Sequence, residues 1–170
     1  MPIEYEAKVL DIDAAAIRRR IATAGGRRLG EVLLRRFVYD VTPGDTSRWI
    51  RLRDDGSQAT LTVKEIAHDG IDGTTETEVT VGDFADAHEL VQRMGFRAKS
   101  YQENRRESFE LAGARLEIDS WPLIPAYLEI EGSSRDHVVE VAGLLGVEAE
   151  RLTGENTVKV TRATGSTWQA

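Results

Sequence analysis

The 170-residue sequence predicts an α+β protein, a closed antiparallel β-barrel with helices packed against its outside. Three observations predict this class. Charged residues recur two positions apart on segment after segment, which is the period of one strand face. The alternate positions of the same segments are apolar. Three further stretches have the apolar spacing of amphipathic helices.

The helix predictions depend on where each stretch can begin and end. A side chain that accepts a hydrogen bond from the first turn favours the start, and a glycine favours the end. The predicted helices cover residues 14–24, 84–94 and 135–145. Their N-caps are, in chain order, Asp13, Asp83 and either Ser133 or Ser134.

The charged strand faces carry both signs. The acidic pairs are Glu4 and Glu6, Glu76 and Glu78, Glu117 and Asp119, and Glu129 and Glu131. The cationic residues on similar segments are Lys8, Arg51, Arg53 and Lys64. Each pair alone is compatible with a solvated strand face, but the recurrence indicates one shared polar surface.

Two arrangements can bury the apolar faces of these strands and helices. In a closed barrel, the apolar strand faces point outward against the helices and the charged faces line the interior. In an open α+β sheet, the charged side faces water instead. Crowded carboxylates raise one another's pKa values unless cations lie among them. The mixed signs therefore favour the barrel, with an interior that holds a metal ion, an anionic ligand or both.

A strand–helix–strand unit recurs together with its charges. The first copy joins Glu4-x-Glu6 through a helix to Arg35-Arg36, and the second joins Glu76-x-Glu78 through a helix to Arg105-Arg106. Glu129-x-Glu131 and the last helix begin a third, shortened copy. This repetition predicts pseudo-symmetric halves that close around one site.

Composition excludes several classes of function. The formal net charge of −7 argues against nucleic acid as the main partner. The absence of cysteine excludes disulfides and Cys-based zinc sites and fits a cytoplasmic protein. No apolar run approaches the roughly 20 residues of a membrane span, and no signal peptide is expected before a strand that begins at residue 3. We expect one domain over residues 1–163, a mobile tail over 164–170, and a monomer or homodimer.

The residue types indicate phosphate chemistry. Clustered Asp and Glu suit a hard divalent cation such as Mg²⁺ or Mn²⁺, and inward Arg and Lys suit phosphate oxygens. Together they are the equipment for phosphoryl or nucleotidyl transfer, although no P-loop motif is present. His68 is expected in a loop, and His88 and His137 on helix surfaces. Trp49 and Trp121 are expected to pack in the barrel.

The ordered motifs resemble those of the CYTH proteins, also called triphosphate tunnel metalloenzymes. In chain order they are Glu4-x-Glu6-x-Lys8, Arg51-x-Arg53, Lys64, Glu76-x-Glu78, Arg105-Arg106, Asp119 and Glu129-x-Glu131. The family includes thiamine, inorganic and RNA triphosphatases and class IV adenylyl cyclases. The resemblance implies an antiparallel β-barrel that forms a tunnel.

The resemblance also implies roles for individual residues. The implied ligands of Mg²⁺ or Mn²⁺ are Glu4, Glu6, Glu129 and Glu131, with help from Asp119, Glu76 and Glu78. The implied triphosphate contacts are Lys8, Arg51, Arg53, Lys64, Arg105, Arg106 and Lys159, and the implied catalytic residues are Lys8, Glu4 and Glu6. Arg35 or Arg36 lies near a further basic position of the family, and Asn104 stands where members often have a lysine. Glu117 is either a supporting group behind the metal ligands or one half of a strand salt bridge.

Three functions remain open at this point. The first is a divalent-metal-dependent phosphohydrolase of inorganic triphosphate, thiamine triphosphate or a nucleoside triphosphate. The second is a class IV adenylyl cyclase, which converts ATP to cyclic AMP and pyrophosphate. The third is a non-catalytic sensor of polyphosphate or nucleotide, against which the many carboxylates argue.

Overall fold

The computed structural model describes residues 3–154 of the chain. The first half contains β1 (Ile3–Val9), α1 (Ala14–Thr23), β2 (Arg27–Asp40), β3 (Arg48–Asp54) and β4 (Ala59–Ile66). The second half contains β5 (Thr74–Val81), α2 (Phe84–Arg93), β6 (Ala98–Leu111), β7 (Ala114–Ser120) and β8 (Tyr127–Gly132). After it come α3 (Arg135–Leu144), a 3₁₀ turn (Ala149–Arg151) and β9 (Leu152–Thr153). Lys159, the predicted boundary at residue 163 and the tail over 164–170 lie outside the described residues.

Eight of the described strands close into one antiparallel barrel. Their order around the barrel is β5-β4-β3-β2-β6-β7-β8-β1, and β1 pairs again with β5 through Ile3 with Thr75 and Glu4 with Thr74. The short β9 adds to β1 beside β8. The predicted closed barrel is therefore confirmed, and the open sheet is excluded.

The order of elements repeats between the two halves. Each half consists of a strand, a helix and three strands, and the 14-residue strands β2 and β6 occupy equivalent positions and pair with each other. β1 and β5, which are also equivalent, close the ring. The third, shortened copy predicted from Glu129-x-Glu131 is β8 followed by α3, so β8 completes the second half.

The helices begin where their caps predict. The N-cap side chains accept hydrogen bonds from backbone N–H groups of the first turn, and these caps are Asp13, Asp83 and Ser134. A left-handed glycine follows each C-terminus; these are Gly25, Gly95 and Gly146, with φ of +87°, +99° and +66°. No helix among residues 3–154 is long and apolar enough to cross a membrane.

Apolar outer strand faces pack against all three helices. On one side, Leu116 and Ile130 of the sheet belong to a cluster with Ile21 of α1 and Val141 of α3. On the other side, α2 packs against the first half of the barrel in a separate cluster. The outward direction of the apolar faces leaves the opposite faces to line the interior.

Two helix histidines make structural contacts outside the interior. His88 Nδ1 and the Tyr39 hydroxyl share a hydrogen bond of 2.6 Å. The His88 ring stacks on the Phe37 ring with 3.8 Å between the ring centres. His137 contacts the Ala112 carbonyl through Nε2 at 2.9 Å. Both side chains are half-buried, which corrects the expectation that they are plain surface residues.

Candidate active site in the barrel interior

The strand registers bring charged residues of neighbouring strands to the same level. Lys64 of β4 is the Cα partner of Glu76 on β5, and Thr62 is the partner of both Arg51 and Glu78. Cα partners in an antiparallel pair project to the same side of the sheet. The i, i+2 pairs of the sequence therefore become rows that run around the inner wall.

The inner faces enclose a cavity of about 380 Å³. The carboxylates among its described lining residues are Glu4, Glu6, Glu76, Glu78, Glu117, Glu129 and Glu131. The cations among them are Lys8, Arg36, Arg51, Arg53, Lys64, Lys99, Arg106 and Arg115. Because the two signs nearly balance here, the cavity suits a ligand that itself carries both signs, such as a metal-chelated polyanion.

Lys8 is buried between two carboxylates. Its Nζ lies 3.0 Å from Glu6 Oε1 and 3.1 Å from Glu129 Oε2. Burial alone would lower the pKa of Lys8, but the two carboxylates raise it well above its usual value. Lys8 and Arg106 in turn hold the pKa of Glu129 far below its usual value, against the effect of burial. Lys8 therefore stays an ammonium and acts as a cation in this arrangement, not as a base.

Lys64 links the carboxylates of β1 and β5 across the barrel closure. Its Nζ lies 3.1 Å from Glu4 Oε2 and 2.7 Å from Glu76 Oε2. Burial opposes ionisation of Glu76, but Lys64 and Arg51 lower its pKa to about 2. Glu76 is therefore a permanent anion that orients these two cations.

Two carboxylates are short of positive charge. Burial and nearby carboxylates, Glu6 first among them, raise the pKa of Glu4 to about 7, although Lys64 opposes the shift. Burial and nearby carboxylates, Glu129 first among them, also raise the pKa of Glu131. Glu131 is the Cα partner of Glu6, and Glu4 lies two residues before Glu6 on the same face of β1. The two carboxylates with raised pKa values, Glu4 and Glu131, therefore lie in the same part of the cavity wall.

The donors in this part of the wall fit a divalent cation. Glu4, Glu6 and Glu131 offer hard carboxylate oxygens, and a cation beside them would offset the burial and the repulsion that raise the pKa values of Glu4 and Glu131. Within residues 3–154, no three such groups yet converge on one point closely enough to form a finished metal site. In the described structure Glu6 pairs with Lys8 and Glu4 pairs with Lys64, so a metal ion that binds these carboxylates would compete with the two lysines.

The arginines of β3 contact the acidic residues of β5. Arg51 Nη2 lies 3.2 Å from Glu76 Oε1 and 3.3 Å from Glu78 Oε2, and Arg53 Nη2 lies 3.8 Å from the same Glu78 oxygen. Glu76 and Glu78 thus have cationic partners in the described structure. Their predicted help in metal binding stays a prediction.

Asp119 lies behind the cavity wall and is fully buried. Its carboxylate accepts hydrogen bonds from Arg106 Nε at 2.8 Å, Arg106 Nη2 at 2.6 Å and Asn104 Nδ2 at 2.9 Å. It is not among the residues that line the cavity. In the described structure Asp119 positions Arg106. Its predicted help in metal binding stays a prediction.

Adjacent arginines divide between the two faces of a strand. On β6, Arg106 lines the cavity, whereas Arg105 is on the outer face, has a 71% exposed side chain and pairs with Glu31 at 3.1 Å. The structure therefore places Arg105 outside the cavity, on the face opposite to its predicted substrate contact. On β2, Arg36 lies inside with 7% exposure, whereas Arg35 lies outside.

Some cavity residues were missed or left open by sequence reasoning. Glu117 lines the wall and pairs with both Arg106 and Arg115 Nε, the latter at 2.9 Å. Arg115 had a usable signal, because it stands two residues before Glu117 on the same strand face. Lys99 and Trp49 also line the cavity. Lys99, near the start of β6, pairs with Asp40.

Comparisons with known proteins agree with this fold. A model of the CYTH domain matches residues 2–163 of the chain. CYTH proteins in general depend on a metal ion. A search of curated protein sequences found no match.

Several solved structures are similar to this chain. The PH1012 protein of Pyrococcus horikoshii has a TM-score of 0.81 and 22% identity, over 93% of this chain and 99% of that one. A candidate adenylate cyclase from Vibrio parahaemolyticus has a TM-score of 0.77 and 15% identity, over 94% of this chain and 98% of that one. HpAC1 from Hippeastrum is a candidate adenylyl cyclase with a dominant triphosphatase activity. It has a TM-score of 0.70 and 18% identity, over 97% of each chain. At these identities the likeness shows a shared fold.

Proposed function

Because this chain belongs to the CYTH domain family, we propose that it is a divalent-metal-dependent phosphohydrolase that cleaves a triphosphate inside the barrel. One observation carries the proposal. Carboxylates of β1 and β8 and arginines of β3 and β6 line the same cavity, from different sides of the ring of strands. A triphosphate chelated to a metal presents the complementary charges to both groups at once.

In this proposal Glu4, Glu6 and Glu131 would hold Mg²⁺ or Mn²⁺, with Glu129 beside them. Such an ion, when bound, would neutralise phosphate oxygens and make the phosphorus more electrophilic. Both metals fit an all-oxygen set of donors. The raised pKa values of Glu4 and Glu131 support this choice, since each marks a carboxylate that lacks enough cationic partners.

The cations of the cavity bind and stabilise the phosphate chain. Arg51, Arg53 and Arg106 offer planar N–H forks that suit phosphate oxygens. In the hydrolysis, water forms a bond to one phosphorus and loses a proton to the solvent, and the P–O bond of the anhydride breaks, leaving its electron pair on the departing phosphate. Lys8, held as an ammonium, stabilises negative charge that develops beside Glu6 and Glu129.

A class IV adenylyl cyclase is the second candidate. Two proteins of the same fold, HpAC1 and the Vibrio protein, are candidate adenylyl cyclases. In that reaction the ribose 3′-hydroxyl of ATP attacks the α-phosphorus and pyrophosphate leaves. The dominant triphosphatase activity of HpAC1 supports placing the hydrolase first.

The experiment is a product analysis of the purified protein. Tripolyphosphate, thiamine triphosphate and ATP are each incubated with Mg²⁺ or Mn²⁺. Phosphate from the first two, or ADP with phosphate from ATP, supports the hydrolase. Cyclic AMP with pyrophosphate supports the cyclase instead. Binding of all three without any product overturns both reactions and leaves the sensor.

A further inference from the structure

Arg36 is a buried cation without an anionic partner in the described structure. Its side chain lies on the inner face of β2 with 7% exposure. None of the ion pairs formed among residues 3–154 includes it, and its Nε is buried without a hydrogen bond there. By contrast, Lys8, Lys64 and Arg106 each contact two or more carboxylates.

The contacts of Arg36 orient its guanidinium without neutralising it. Nη2 donates a hydrogen bond to the side-chain oxygen of Asn104. The guanidinium carbon lies 4.9 Å from the centre of the Trp121 ring. Both partners are uncharged, so the positive charge of Arg36 remains available to the cavity that it lines.

The surroundings of Arg36 are unfavourable for a cation. Burial, followed by repulsion from Arg51 and Arg106, lowers the pKa of Arg36 to about 9. A cation that serves only the fold would be expected to have a carboxylate partner at such a buried place. A buried guanidinium that lines a cavity beside two further arginines and has no carboxylate of its own is instead suited to bind an anion.

Asn104 connects Arg36 to Arg106. Its side-chain oxygen accepts from Arg36, and its Nδ2 donates to Asp119 at 2.9 Å. Asp119 in turn holds Arg106 through two hydrogen bonds. A neutral amide can accept from one group and donate to the other at the same time, which neither a lysine nor a carboxylate can do.

We propose that Arg36 is a substrate-binding residue that contacts phosphate oxygens between Arg51 and Arg106, and that Asn104 is the positioning residue that holds it there. The identity of the anion as a triphosphate rests on the proposed function. At position 104, β6 carries a neutral amide and not a cation. In this proposal Arg36, on the neighbouring strand β2, supplies the positive charge beside it.

The test is the affinity for tripolyphosphate, measured by calorimetry in EDTA so that metal-dependent turnover is absent. Arg36→Gln is expected to weaken binding about 10- to 100-fold, which corresponds to the loss of charge-assisted hydrogen bonds. Arg35→Gln is the matched control, because it removes the same charge from the next residue on the outer face. It is expected to bind as the wild type does.

Two further variants separate a binding role from a structural one. Arg36→Lys keeps the charge and is expected to recover most of the affinity. Asn104→Ala is expected to weaken binding less than Arg36→Gln does, and to have a smaller effect when Arg36 is already Gln, because part of its effect acts through Arg36. The melting temperature of metal-free Arg36→Gln is expected to be unchanged or higher, since a repulsive cation is removed.

The outcomes distinguish this inference from the proposed function. If Arg36→Gln binds as tightly as the wild type, the inference is overturned, even where the wild type releases phosphate. If the wild type binds tripolyphosphate without hydrolysing any triphosphate and Arg36→Gln binds more weakly, the inference stands and the function falls. If the wild type does not bind tripolyphosphate in EDTA, the inference is overturned, and the product analysis with Mg²⁺ or Mn²⁺ decides the function separately. Should Arg36→Gln fail to fold, loss of affinity in folded Arg36→Lys overturns the inference and retention supports it.

Discussion

Arg106 and Asp119 form a bidentate ion pair between β6 and β7, with Nε–Oδ1 and Nη2–Oδ2 distances of 2.8 and 2.6 Å. Asp119 is fully buried, whereas Arg106 reaches the cavity. The pair therefore holds one guanidinium from behind while its remaining contacts, Glu117 and Glu129, lie on the cavity wall.

Asp119→Asn is expected to lower the free energy of unfolding by about 3 kcal/mol, because it removes one charge of a buried pair. This loss is at the lower end of the range for breaking a buried ion pair, because Arg106 keeps its contacts with Glu117 and Glu129. Urea denaturation measures it. Glu89→Gln is the control, because Glu89 pairs with Arg93 on an exposed helix face and its loss is expected to cost less than about 0.5 kcal/mol. Equal effects of the two changes would contradict the structural role.

Neighbouring arginines on β6 are expected to differ sharply in activity. Arg106→Gln should lower kcat/KM on the order of 100-fold, because it removes a charged donor from the cavity. Arg105→Gln should leave kcat/KM within about twofold, since its side chain is exposed on the outer face and rim charges contribute little. Steady-state kinetics with the best triphosphate decide the matter. A comparable loss in Arg105→Gln would show that the outer face takes part.

Glu4→Gln and Glu6→Gln are expected to reduce turnover at least about 100-fold, since each removes a carboxylate proposed to hold the metal. The fold should persist, and Glu4→Gln should not lower stability at neutral pH, because ionised Glu4 is disfavoured in the metal-free protein. Turnover and Mg²⁺ titration calorimetry measure the effect. Glu110→Gln, which changes an exposed outer carboxylate paired with Arg27, is the control. Full activity of both cavity variants would refute the metal assignment.

Metal binding is expected to weaken as the pH falls below about 7. The raised pKa of Glu4 means that a proton competes with the metal for this carboxylate around neutrality. The folding stability of the metal-free protein is expected to change with pH in the opposite direction. The stability that Glu4 contributes is present below its unfolded pKa of 4.5 and is lost as the pH rises through about 7.

Calorimetry at pH 6.5 in two buffers of different ionisation enthalpy measures the protons released when Mg²⁺ or Mn²⁺ binds. The wild type is expected to release protons, and Glu4→Gln to release fewer. Equal release by both proteins would show that the proton comes from another group.

The limits of sequence reasoning are clearest on β2 and β6. On β2, Leu34 and Val38 share a face with Arg36, while Phe37 and Tyr39 share a face with Arg35. Since both faces contain apolar residues, hydrophobic alternation cannot choose which arginine points inward. On β6 the long run of polar residues leaves the same ambiguity for Arg105 and Arg106.

The sequence by itself predicted the helices and the inward direction of rows such as Glu4-x-Glu6 and Arg51-x-Arg53, and it favoured a closed barrel over an open sheet. It could do so because side chains alternate along a strand and the opposite face of each of these rows is apolar. Only the tertiary structure decided which charges meet. Lys64 contacts Glu4 from 60 residues away because β1 pairs with β5 to close the ring, and strand register across such a closure is not contained in any local pattern.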